Sequence, residues 1–138
     1  MIILSNAFSL QMLDLEQKQQ VEITPLTQVE TIELLKNDFT SAVGHADTAN
    51  VLTDLLKITV PANRINVSLT NNDILIVAQL IGGRLPEGST TLPEGYSLKF
   101  VKVTVTRPWW SKLAFWLVCN KIKRRNEYEQ KWMGSANI

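Results

Sequence analysis

The sequence predicts a small α/β domain, a mixed sheet flanked by helices, with a C-terminal helical extension. Three observations predict it. Short apolar runs alternate with segments of helical periodicity up to about residue 106. One of these runs, Ile74 to Leu80, is almost wholly apolar, as expected of a central strand covered on both faces. After Arg107-Pro108 the composition changes, which divides the chain into a 1–106 domain and a 107–138 extension.

The elements follow in order. Ile2 to Phe8 reads as a buried strand. Leu10 to Glu22 is polar and Gln-rich, a loop with a short strand near Val21-Glu22-Ile23. Thr27 and Glu30 have capping-box spacing, and Val29, Ile32 and Leu35 recur at helical intervals, which predicts a helix over 28–36. A second helix starts near Gly44 to Ala46, carries the stripe Ala49, Leu52, Leu55 and Leu56, and ends before Pro61. Arg64 to Leu69 alternates polar and apolar, as a half-buried strand does. Thr70 to Asp73 is a turn, and Ile74 to Leu80 the central strand. Gly82 to Gly95 is a loop holding Leu-Pro-Glu-Gly twice, at 85–88 and 92–95, and Leu98 to Val105 is a last strand. Beyond it, a helix is expected from about Trp110 to Lys131.

A chain of 138 residues that is 45% hydrophobic is one domain in size and can bury a core. Its net charge of +1 gives no general argument for nucleic acid, and no DNA partner is expected. The extension holds seven Lys/Arg against two Glu, which leaves the remainder at −4. A single cysteine, Cys119, excludes an internal disulfide, and one cysteine with one histidine argues against a zinc site. No metal or other cofactor is expected. The apolar start is short and gives way to Asn, Gln and Asp, unlike a signal peptide. The longest apolar run, Leu113 to Cys119, is seven residues, far below the roughly twenty that span a bilayer. These features lead to the expectation of a soluble, cytoplasmic protein.

The candidate chemistry centres on His45, the only histidine, in the run Ser41 to Ala49 where a loop becomes a helix. Imidazole trades protons near neutral pH, and a helix N-terminus attracts phosphate. The plainer reading is a helix-end residue without chemistry.

The opening strand into Asn6 and Ser9, the Ser41 to Ala49 block, the stretch Val60 to Leu69, the strand to Leu80, and Gly82 to Gly88 occur in this order. Together they resemble the viral ring nucleases, small type III anti-CRISPR proteins of archaeal and bacterial viruses. The resemblance covers roughly residues 1–105, and its most specific pieces are Ser41 to Ala49 and Arg84 to Gly88. It implies a homodimer that binds cyclic tetra-adenylate, the second messenger of type III CRISPR systems, across its two-fold axis. It further implies cleavage without a metal, leaving 2′,3′-cyclic phosphate ends. His45 would be the general acid, Arg84 the phosphate clamp and Glu87 the residue that orients His45. Gly82, Gly83 and Gly88 would let this loop swing as a lid. Asn6, Ser9, Ser41, Gly44, Thr48, Arg64 and Gln79 would contact the ligand. The duplicated tetrapeptide leaves Glu87 and Glu94 in competition, and Arg84 beside the first copy favours Glu87.

The same residues have structural readings: a solvated loop tip for Arg84 and Glu87, a buried amide for Gln79, turns or caps for Asn6, Ser9 and Thr48, and a solvated side chain for Arg64. A non-catalytic module that sequesters a cyclic nucleotide, or docks a partner, is the alternative function. The family core ends before Trp109, Trp110, Phe115 and Trp116, and the expectation is that this helix packs on protein, within or across the dimer. A membrane-surface role ranks below that.

Overall fold

The computed structural model describes residues 1–107, 116–117 and 119–125. Contacts divide the chain into two units. The first comprises Met1–Asp14 and Gln20–Thr106, and the second comprises Leu15–Gln19 and the segment that begins at Arg107.

Five strands, two α-helices and a short 3-10 helix (Leu10–Met12) build the first unit: β1 (Ile2–Ser5), β2 (Gln20–Leu26), α1 (Gln28–Leu35), β3 (Phe39–Ser41), α2 (Ala46–Leu56), β4 (Ile74–Ile81) and β5 (Ser97–Thr106). The strands form one mixed sheet in the order β2-β5-β4-β1-β3. β1 lies parallel to β3 and β4, whereas β5 runs antiparallel to both β4 and β2. The expected α/β class and mixed sheet are therefore present.

Period-two alternation gives the sheet two apolar faces. On one face Leu4, Ile76, Ala78 and Phe100 pack with Leu35 of α1 and Ala49, Leu52 and Leu56 of α2. On the other, Ile3, Leu75, Val77, Val103 and Val105 are covered by Val67, Leu69, Phe8, Met12 and Leu13. The two α-helices thus cover one side and largely irregular chain the other. α1 starts with the expected capping box: Thr27 Oγ1 accepts from Glu30 N at 3.2 Å, and Thr27 N donates to Glu30 Oε1 at 3.2 Å.

Four expectations need correction. The first strand stops at Ser5, because the Ser5 hydroxyl donates to Ala7 O and accepts from Ala7 N, a local turn that competes with the ladder. The short strand near Val21 is a seven-residue edge strand, with Pro25 tolerated at the edge. Arg64 to Leu69 is not a strand. Its ends are tied elsewhere instead, through Asn63 N to Val43 O at 2.7 Å and Leu69 N to Met12 O at 2.8 Å. Val67 and Leu69 are buried as the alternation implies, but Ile65 is exposed. The three-residue β3 was absent from the expected elements.

In the extension, residues 116–117 and 119–125 are helical. Trp116 is 58% exposed on its own chain. Trp109, Trp110 and Phe115, and the ends of the expected helix, lie outside the described residues.

Candidate functional site

Parallel pairing brings the carboxyl ends of β1, β3 and β4 to one edge of the sheet. Crevices beyond such ends are where open α/β sheets take ligands. Here the chain leaves β3 at Ser41, crosses Val43 and Gly44, and enters α2. β4 ends at Ile81 and releases the loop 82–96. Between α2 and this loop lies a cleft of about 660 Å³ lined by His45, Asp47, Thr48, Leu80, Arg84, Leu85 and Glu87.

His45 is the N-cap of α2, with extended backbone (φ −111°, ψ 130°), and its carbonyl accepts the first helical bond from Ala49 N at 3.0 Å. Its side chain caps nothing. Ser, Thr, Asp or Asn at this position would satisfy a first-turn amide. With histidine there, those amides and the exposed imidazole remain open to an anion.

The loop is held at its base. Tyr96 Oη donates to Arg84 O at 3.0 Å, and Gly82 sits at φ +120°. A Cβ on Gly82 would come 2.9 Å from Gly95 O, so only glycine fits there. Both copies of Leu-Pro-Glu-Gly make the same turn, closed by Ser89 N to Pro86 O and by Tyr96 N to Pro93 O, each 3.2 Å. Gly88 and Gly95 hold the positive φ that a type II turn needs at its third residue. Glu87 lines the cleft, and Glu94 is not among its lining residues.

His45, Arg84, Glu87 and Thr48 thus share one cleft. Ser41 is buried and committed elsewhere: its hydroxyl donates to Pro61 O at 2.6 Å and accepts from Val43 N at 3.4 Å. Gly44 lies against the stem of Arg64, whose Cγ is 3.6 Å from where a glycine Cβ would stand. This sets Arg64 beside the approach to His45. Ser9 lines a separate cleft of about 370 Å³ with Gln11, Asn66 and Ser68. Asn6 is half-buried just past β1. Gln79 is exposed opposite Lys99, and its amide donates to Leu80 O at 3.2 Å, so it is not the buried amide expected from its apolar neighbours.

Two residues of the site were absent from the sequence reading. Asp47 lines the cleft and accepts from Gly88 N at 3.2 Å. Its place in the first turn of a helix, two residues after the histidine, was the available signal. Tyr96 anchors the loop, and nothing in the sequence pattern marks it. Among the described residues, no group of three His, Cys, Asp or Glu side chains is placed to hold a metal ion, and no helix is long and apolar enough to cross a membrane.

Comparison with known proteins matches residues 2–96 to the family described as STIV B116-like. Protein 26 of Sulfolobus islandicus filamentous virus, uncharacterized, is 44% identical over 64 residues, which cover 46% of this chain and 53% of that protein. The chain thus aligns with about half the length of this curated relative. The structure is similar to that of B116 of Sulfolobus turreted icosahedral virus, with a TM-score of 0.64, 25% identity, and coverage of 75% of this chain and 97% of B116.

Proposed function

The chain belongs to the STIV B116-like family, and from that footing we propose that the cleft around His45 binds and cleaves cyclic tetra-adenylate. The protein is then a metal-independent ring nuclease that acts in the host cytoplasm as an anti-CRISPR or messenger-clearing enzyme. One observation carries this reading. His45 and, about forty residues further along the sequence, Arg84 and Glu87 converge on one cleft at a helix N-terminus. None of the three side chains is spent on a hydrogen bond or ion pair with another described residue.

The chemistry follows from the residue types. The ribose 2′-oxygen attacks the adjacent phosphorus and loses its proton to solvent. The bond from phosphorus to the 5′-oxygen breaks, and His45 supplies the proton that this leaving oxygen needs. The Arg84 guanidinium, a planar fork suited to phosphate oxygens, balances charge on the phosphoryl group, with the open amides of α2 behind it. Glu87 orients the imidazole. Leu80 and Leu85 supply apolar wall for a base. A four-membered ring of identical nucleotides has a two-fold axis, which a homodimer with one such cleft per protomer matches.

The test is incubation with cyclic oligoadenylates of several sizes in excess chelator, with products read by mass spectrometry. Short linear products carrying 2′,3′-cyclic phosphate are expected from the four-membered ring. Rings bound tightly yet recovered intact would overturn the enzyme in favour of a sequestering module.

A further inference from the structure

We infer that Asp47 is a positioning residue: it clasps the loop 82–96 to α2 and so sets Glu87 in the cleft that holds His45. The positioning role rests on the proposed ring cleavage; the clasp itself does not. Gly88 N to Asp47 Oδ2, at 3.2 Å, is the one hydrogen bond among the described residues that joins this loop to α2. It is charge-assisted, and so stronger than a bond between neutral groups. It also falls at a telling place. The amide that Asp47 holds belongs to the peptide unit linking Glu87 to Gly88, and that unit is planar. Fixing it therefore anchors the carbonyl end of Glu87, including its Cα.

The duplicated tetrapeptide supplies an internal comparison. The turns at Pro86–Ser89 and Pro93–Tyr96 have the same closing bond, and glycines at φ +79° and +86°. Turn geometry alone does not distinguish Glu87 from Glu94. What differs is the clasp: Gly88 is tied to α2, and no described residue of α2 bonds Gly95. A Cβ on Gly88 would meet nothing within 4 Å, so packing does not hold the turn in place there. The placement of one glutamate near the histidine thus depends on a carboxylate two residues beyond that histidine.

Two variants and two readouts test this. Hydrogen exchange is first measured with no nucleotide present. Asp47→Ala is expected to speed exchange in residues 84–89 by about tenfold, the scale of one hydrogen bond to a charged group, without changing β4. Asp47→Asn keeps a carbonyl oxygen in place and should stay within about threefold of the parent, since a neutral acceptor retains part of the bond. With cyclic tetra-adenylate, Asp47→Ala is expected to lower the single-turnover rate about tenfold while Kd moves less than about threefold, as loss of geometry rather than of binding does. Asn should restore most of the rate. Unchanged exchange in Asp47→Ala overturns the clasp. Faster exchange with an unaltered rate overturns the positioning role. Should the parent protein leave the ring intact, the proposed function fails, and exchange alone still decides the clasp.

Discussion

His45 occupies a helix N-cap that a capping residue would normally fill, and its imidazole has no hydrogen-bond partner among the described residues. That combination forgoes about 1 kcal/mol of capping stability and leaves an anion site open. Arg84 and Glu87 face the same cleft, whereas Glu94, in an identical turn, does not line it. Arg84→Ala is therefore expected to slow ring cleavage by roughly 100-fold, the scale of losing a donor to a charged transition state. Glu87→Ala should slow it at least about tenfold and Glu94→Ala less than about twofold, since only the first lines the cleft with His45. Single-turnover rates of the three variants check this, and a sensitive Glu94 would reverse the assignment. The sequence favours Glu87 because Arg84 adjoins only the first copy, and in the structure that glutamate lines the cleft. The exposure of Gln79 was not legible in the sequence. The residues of β4 before Gln79, Leu75 to Ala78, are buried, but irregular chain covers that face through Val77 and no further, so the amide emerges into solvent.

At the scale of elements, local signals served best where they are self-contained. The capping box at Thr27 and Glu30 and the stripe Ala49, Leu52, Leu56 fix α1 and α2 without reference to the rest of the chain. Thr27→Ala should destabilise the protein by about 1 kcal/mol, read in denaturant unfolding, because it opens the box. No loss would mean that α1 is held by Leu35 and its packing alone. Pairing is not self-contained. Arg64 to Leu69 has the alternation of a strand, yet Asn63 before it bonds Val43, Leu69 at its end bonds Met12, and the segment joins no ladder. β3 has only three residues, too few for periodicity to register. The loop 82–96 depends on backbone conformation. Gly82→Ala would place a Cβ 2.9 Å from Gly95 O at φ +120°. It is expected to speed exchange across the loop and to lower turnover. A variant with parental exchange would show that the loop base tolerates the clash.

For the molecule as a whole, the sheet order β2-β5-β4-β1-β3 places three strand ends, one helix start and one long loop at the same edge. The family match ends at residue 96, and the segment from Arg107 lies beyond it. A homodimer is expected for a two-fold ring, and light scattering should give twice the 15.6 kDa chain mass. Truncation after Thr106 is expected to dissociate or aggregate the protein. A truncated chain that stays a soluble, active dimer would show that the Trp-rich basic segment serves another partner. The measurement that bears most directly on the central claim is the single-turnover rate on cyclic tetra-adenylate in excess chelator, for the parent and for His45→Ala. The account predicts ring opening by the parent, a rate lower by about 100-fold or more in the variant, and similar Kd values, because the imidazole acts in the transition state. Equal rates in the two proteins, or a ring left intact by both, would contradict it.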